Sequence, residues 1–296
     1  MVLELRDWRD NDVDWWVGLR YSWYPVMGHD HLRRMASGTV RPWLHRAVAI
    51  ERGRRLGFAG VMSSPGDSPD STLVLVEPSA RGCGVGHALV SGVLEGYGAN
   101  PLAVVMPDHD ATALAVAQHW GFELRSHSIE AALDLTAGVP VPTPRPDLRV
   151  RVIADEDLEA EGLDVDPLLL ASSTHPEATE LGWIMLRQDF AAMFPHLLWV
   201  VAEVCDVPAA VTCADPQDGE DWCVCYTGVD PAFRGRGLAR VVKEHLHHYA
   251  AARGAARLLT DNEERNGPIR LLNEEMGFIA GSGEYRLIRP GCIPRG

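Results

Sequence analysis

The pattern Val-x-Pro-x-x-Arg-Gly-x-Gly occurs twice in this chain, at residues 76–84 and 229–237. A match of that length inside one chain points to duplication of a whole structural unit. Each copy sits between two apolar segments. Ser71 to Val76 and Trp222 to Thr227 read as strands ahead of it. Ala88 to Tyr97 and Arg240 to Ala252 read as helices behind it.

A strand, a glycine turn and a helix in that order make a cradle for phosphate. Glycine admits the left-handed backbone and lets a ligand approach the main chain. The first N–H groups of the helix lack intrahelical partners, and the helix dipole adds partial positive charge there. Arg234 and Arg236 add two full charges in the second copy. The first copy has Arg81 alone, with Cys83 between its glycines. An ordinary strand–turn–helix can look the same, so the flanks decide.

The flanks repeat. Leu3 to Leu5 and Leu148 to Ile153 predict first strands, and residues 12–36 and 158–193 predict paired helices. Strand pairs follow at 43–50 with 57–62, and at 196–204 with 208–213. Beyond each loop helix come a strand (Pro101 to Met106, Ala256 to Thr260) and a second helix (Asp110 to Trp120, Asn266 to Met276). Each second helix ends in Gly-Phe, at Gly121-Phe122 and Gly277-Phe278, a left-handed cap followed by a core aromatic. A last strand follows within 122–135 and at Tyr285 to Ile288. Between the halves, Pro140, Pro142, Pro144 and Pro146 make a stiff extended linker. The expected domains are therefore 1–137 and 148–296, with a linker at 138–147.

This arrangement resembles the acetyl-CoA pyrophosphate loop of the GCN5-related N-acetyltransferase (GNAT) superfamily. Its signature is Gln or Arg, two residues, Gly, one residue, then Gly or Ala. Arg234, Gly237 and Ala239 fill those places in the second copy, and Arg81, Gly84 and Gly86 in the first. The resemblance covers nearly the whole chain. It implies an α/β fold of two tandem GNAT domains, each a mostly antiparallel sheet flanked by helices. It also implies an acyltransferase with acetyl-CoA as acyl donor. The implied cofactor contacts are Thr227, Val229, Arg234, Gly235, Arg236, Gly237, Leu238 and Ala239, with Asn262, Asn266 and Asn273. A second possible cofactor site comprises Val76, Arg81, Gly82, Cys83, Gly84, Val85, Gly86 and His87. Asn262 and Asn266 read equally well as turn and cap residues.

Many members of the family place a tyrosine acid four residues before the glycine of Gly-Phe. Here those places hold Asn273 and Ala117, so the usual proton donor is missing from both halves. On the second loop strand the titratable candidates are Tyr226 and Asp221, which also read as a core aromatic and a solvated hairpin acid. The more cationic loop and the asparagines mark the second half as catalytic and the first as degenerate. The tandem size resembles bacterial tandem acetyltransferases, the mycothiol synthases and antibiotic-modifying enzymes among them. The missing tyrosines keep a non-catalytic acyl-CoA-binding module as the alternative.

The family builds its acceptor pocket largely from the first two helices. In the second half that region offers Asp164, Asp166, His175, Glu177, Glu180, Trp183 and Phe194. Acids with aromatics suit an ammonium group. The first half offers Trp8, Trp15, Trp16, Tyr21, Trp23 and Tyr24 instead. A net charge of −14 disfavours nucleic acid and favours a small amine as partner. No apolar run approaches the roughly 18 residues that span a bilayer, and the N-terminus has no signal core. A cytoplasmic monomer or homodimer is expected. The six cysteines form no CxxC pair, and His29-Asp30-His31 is a poor metal motif, so no metal is expected.

Overall fold

The computed structural model describes residues 3–23, 29–64, 68–97, 100–175, 178–179, 184–216 and 220–291. Tyr24, Glu177, Glu180, Trp183 and Cys292 lie outside them. The chain divides into two compact units. Unit 1 is Met1–His127 with Glu284–Gly296, and unit 2 is Ser128–Gly283.

Unit 1 contains β1 (Glu4–Asp7), α1 (Val13–Trp23), α2 (His29–Ser37), β2 (Trp43–Glu51), β3 (Arg54–Met62), β4 (Asp70–Val76), α3 (Val85–Tyr97), β5 (Leu102–Pro107) and α4 (Ala111–His119). Strands β1 to β4 pair antiparallel in chain order, and β5 lies parallel to β4. Side chains alternate between two cores, as strand geometry requires. Val48, Phe58 and Leu75 pack with Trp16 and Leu32 of α1 and α2. Ala49, Ala59 and Val61 pack with Leu89 and Val93 of α3.

The chain then passes through β6 (Glu123–Asp134) into unit 2. There follow β7 (Leu148–Ala154), α5 (Asp166–Ser172), α6 (Arg187–Met193), β8 (Leu198–Val204), β9 (Val207–Pro216), β10 (Asp221–Val229), α7 (Leu238–Ala252), β11 (Arg257–Glu263) and α8 (Gly267–Glu275). The last strand is β12 (Ile279–Arg289). Strands β7 to β10 are antiparallel neighbours, with β11 parallel to β10. Helix α7 carries Leu238, Val242, Leu246 and Ala250 at four-residue spacing, and all four are buried. They form one apolar stripe against β8 to β10, which is why this segment is a stable helix.

The final strands correct the expected domain limits. In unit 1 the strand beside β5 is Glu284–Arg289, from the end of the chain. In unit 2 the strand beside β11 is Ser128–Asp134, from the first half of the sequence. Each sheet is thus completed by a strand from the other half of the sequence, and the compact units do not end at 137 and 148. Nor is 138–147 a bare linker. Val139 packs on the unit 2 core, and the Arg145 guanidinium donates to the Arg236 carbonyl at 3.0 Å. The last strand runs eleven residues, longer than the short strand expected at 285–288, and its end, Glu284–Arg289, pairs with the whole of β5.

Candidate active site

The two loops share one backbone. Gly82 and Gly84 have φ of 72° and 81°, and Gly235 and Gly237 have 75° and 72°. Both pairs occupy the left-handed region that glycine tolerates and other residues avoid. Arg234 donates from Nε to the Val229 carbonyl at 3.3 Å, as Arg81 does to the Val76 carbonyl at 3.5 Å. Gly237 caps α7 with no side chain on the helix's first N–H groups. Those donors face outward, because residues 234–237 are exposed while Leu238 is buried and roots the helix. Val85 does the same for α3.

Around the second loop the arginines are held apart. Arg234 also donates to Thr174 Oγ1 at 2.7 Å, and the Arg236 guanidinium stacks over Phe233 at 5.3 Å. Two cations therefore flank the uncapped helix start, with Ala239 in its first turn. In the first loop, Cys83 takes the place of Arg236 and is exposed. His87 stacks on Trp120 at 5.0 Å instead of facing a ligand alone.

Behind each loop the parallel strands part. Pairing between β4 and β5 extends over Asp70↔Leu102 and Ser71↔Ala103, and between β10 and β11 over Asp221↔Arg257 to Cys223↔Leu259. Past those points each pair opens toward its loop. The strands differ in one respect. β10 shifts register against β9 between Val224 and Tyr226, whereas β4 keeps an unbroken register with β3. The bulge turns two consecutive residues, Cys225 and Tyr226, toward the same core. A bulge ends regular pairing and re-aims the groups beside it. On its other side, β10 has no ladder partner in β11 beyond Cys223, so the backbone groups there are not part of that pairing.

Tyr226 stands at this opening. Its hydroxyl is 2.9 Å from Ser172 Oγ and 3.2 Å from Ser173 Oγ. Its ring meets Phe190 at 5.8 Å and His175 at 6.5 Å. Burial pushes its phenol up in pKa, opposed by the two serines, so it stays neutral at physiological pH. Thr227, next along, is 2.9 Å from Thr212 through their hydroxyls. Burial lowers the His175 imidazole, with the Glu263 charge opposing, which keeps it a neutral base. Glu263 itself is buried and accepts from Arg265 Nε at 2.7 Å. Asp221 is placed elsewhere. It begins β10 at the closed end of the opening and pairs with Arg257, roughly 16 Å along the strand from Tyr226.

The asparagines form a pair that spacing did not predict. Asn273 Nδ2 donates to Asn262 Oδ1 at 2.6 Å, and the buried Asn273 Oδ1 has no partner among the described residues. A cavity of about 740 Å³ adjoins them, lined also by Arg270, Leu271 and Phe278. Asn266 takes the N-cap position of α8 but makes no side-chain cap. Sequence reasoning also missed Ser172, Ser173 and Glu263. The polar run Ser172-Ser173-Thr174-His175 after Leu168-Leu169-Leu170 was the available signal for the serines. Of the acceptor-side residues, Asp166 accepts from the Arg187 backbone N–H at 2.7 Å, and Phe194 packs on the same core as Tyr226. Among the described residues no cluster of His, Cys, Asp and Glu could hold a metal ion, and no helix is long and apolar enough to cross a membrane.

Comparison with known proteins agrees with this geometry. Residues 163–278 match the acetyltransferase (GNAT) family. A mycothiol acetyltransferase of Thermobifida fusca is 30% identical over 256 residues, covering 78% of each chain. One of Beutenbergia cavernae is 27% identical over 81% of this chain and 82% of its own. Among solved structures, a tandem GNAT protein from the clavulanic acid biosynthesis pathway superposes with a TM-score of 0.75 at 16% identity over 100% of both chains. A GCN5-related N-acetyltransferase from Sphaerobacter thermophilus gives 0.72 at 16% identity, covering 98% of this chain and 96% of its own. The structural matches establish a shared fold.

Proposed function

The chain belongs to the GNAT acetyltransferase family and is an acyltransferase, and on that premise we propose that unit 2 moves an acetyl group from acetyl-CoA to a primary amine of a small molecule. The observation that carries this is strand β10, bulged against β9 and open on its β11 side, leading straight into an uncapped helix start between Arg234 and Arg236. The pyrophosphate of acetyl-CoA sits on the α7 N–H groups with Arg234 and Arg236 on its oxygens. The pantetheine arm lies in the opening, near Asn262 and Asn273. The thioester carbonyl reaches the bulge, where backbone N–H groups outside the β11 pairing polarise it.

Transfer is direct, within a ternary complex. The amine, having lost its proton, attacks the carbonyl carbon. The new C–N bond forms, the C–S bond breaks, and CoA leaves as thiolate. His175 and Glu263 are the groups on this face that receive, directly or through water, the ammonium proton before attack and the second proton the nitrogen sheds as the amide forms. Tyr226, tied to two serines, positions the acceptor side and does not titrate. Asn273 supplies no proton, so the thiolate departs with hydrogen-bond support only. Unit 1 carries the other loop of this kind but lacks the bulge and the second arginine.

The curated relatives' name makes a mycothiol-related amine the first acceptor to try. The test is thiol release from acetyl-CoA with a panel of primary amines, with product mass read in parallel. The expected result is amine-dependent release matched mole for mole by acetylated amine. Release that never exceeds hydrolysis in buffer for any amine would sink the proposal.

A further inference from the structure

We propose that unit 1 binds a coenzyme A thioester whose acyl chain is longer than acetyl, with the chain running through the sheet between β4 and β5. A cavity of about 450 Å³ starts at Arg81, Gly82 and Gly86 of the first loop. It passes Leu73 and Leu75, which belong to the core under α1 and α2, and Val74 and Val76, which belong to the core under α3. A space bordered by both faces of one strand crosses the sheet. It does so where β4 and β5 have stopped pairing. It ends against Leu19 and Trp23 of α1.

The walls select an apolar occupant. The charged residues that line the space are Arg81, in the phosphate loop, and Asp110, whose carboxylate accepts from the Ala113 N–H at 2.8 Å and so caps α4. The hydroxyls along the way are those of Ser22, Thr72 and Thr112, and the first two are already engaged. Thr72 donates to the Gly60 carbonyl at 3.1 Å, and Ser22 to the Leu19 carbonyl at 2.9 Å. Apart from Asp110, no carboxylate or imidazole among the described residues lines this route to receive an ammonium group or take its proton. A chain of methylenes fits what remains.

Unit 2 shows the same route occupied. Tyr226 stands in register with Leu73, and its hydroxyl is tied to Ser172 and Ser173. Gly228 stands in register with Leu75, and Ser172 Oγ comes within 2.3 Å of where a Cβ on Gly228 would lie. On the other face Lys243 and His247 replace Val90 and Leu94. The far end that is open and apolar in unit 1 is filled by a tyrosine in unit 2. Unit 2 therefore suits a short acyl group, and unit 1 a long one.

The inference rests on the acyl-CoA reading of the loops. It is tested on the full-length chain carrying Gly237→Glu, which silences the second loop. Binding of CoA, acetyl-CoA and octanoyl-CoA is measured by calorimetry, and by fluorescence of Trp23 and Trp120, which line the space. Octanoyl-CoA should bind at least about tenfold more tightly than acetyl-CoA, because each added methylene leaves water for an apolar wall. Leu73→Tyr, which copies the unit 2 plug, should remove that preference and change CoA affinity less than about threefold. Ser22→Trp, at the exposed far rim, should do the same and decides the matter if Leu73→Tyr does not fold. Equal affinity for the two thioesters, no binding of either, or a preference that survives the folded rim and plug variants would overturn the inference. Failure of the underlying loop reading looks different, since the unsubstituted chain would then bind no CoA at either loop.

Discussion

Gly82–Gly84 and Gly235–Gly237 hold the same backbone posture, yet the strands that feed them differ by one residue. β4 reaches its loop in unbroken register, and β10 reaches its own through a bulge at Val224–Tyr226. The loop is the part both units share. The bulge, the second arginine and the tyrosine tied to Ser172 and Ser173 are the parts they do not. A phosphate cradle can thus persist unchanged while its surroundings decide what the bound thioester does. On the proposed reading, the acyl end meets the groups around Tyr226 in unit 2 and an apolar passage in unit 1.

The comparison breaks most sharply at the glycines. A side chain at Gly237 must adopt φ of 72°, and a carboxylate there repels the pyrophosphate. Gly237→Glu should lower kcat/KM for acetyl transfer at least about 100-fold, through loss of charge-assisted contacts. Gly84→Glu should cost less than about threefold, since its loop serves no transfer. Steady-state thiol release on the two purified variants checks both, and equal losses would refute the division of labour.

Next in size is the buried pair on α7. Burial and the nearby Lys243 charge lower the His247 imidazole to about 3, and burial lowers Lys243 to about 8. A folded pKa below the unfolded value means that the unfolded chain takes the proton first. For His247 the penalty is absent above the unfolded pKa of about 6.5 and grows as pH falls toward 3. At pH 5 it amounts to about 2 kcal/mol. His247→Leu, the residue unit 1 carries as Leu94, should remove this acid sensitivity. The fall in Tm between pH 7.5 and pH 5 should shrink by roughly 5 °C. An unchanged fall would show that His247 is protonated in the folded protein.

Arg236→Cys, which copies Cys83, gives the smallest effect. It removes one charge-assisted contact worth about 1.5 kcal/mol, so KM for acetyl-CoA should rise about tenfold with kcat nearly constant. A fall in kcat at constant KM would place Arg236 in the chemistry instead of in binding.

Much of this architecture was legible in the residues. The repeated Val-x-Pro-x-x-Arg-Gly-x-Gly places both loops, and the stripe Leu238, Val242, Leu246, Ala250 predicts α7. What was not legible has physical causes. Residues 128–134 and 284–289 pattern as strands whichever sheet they join, so their exchange between the sheets leaves no mark in local composition. The bulge needs one extra residue in β10, and nothing in Cys223-Val224-Cys225-Tyr226 marks which one is extra. The placement of Asp221 followed from its partner Arg257, thirty-six residues on, which no local reading connects to it. The Asn262–Asn273 bond joins a strand to a helix and is likewise a product of packing.

The most direct test of the central claim is a single turnover on the Gly84→Glu protein, where the second loop alone is intact. Radiolabelled acetyl-CoA is supplied below the enzyme concentration with an amine that supports steady-state release. The account predicts that label passes to the amine in one amine-dependent exponential phase, at the rate of the unsubstituted protein, with none retained on the chain. Label that stays on acetyl-CoA, or that accumulates on the protein before reaching the amine, would contradict direct transfer by unit 2.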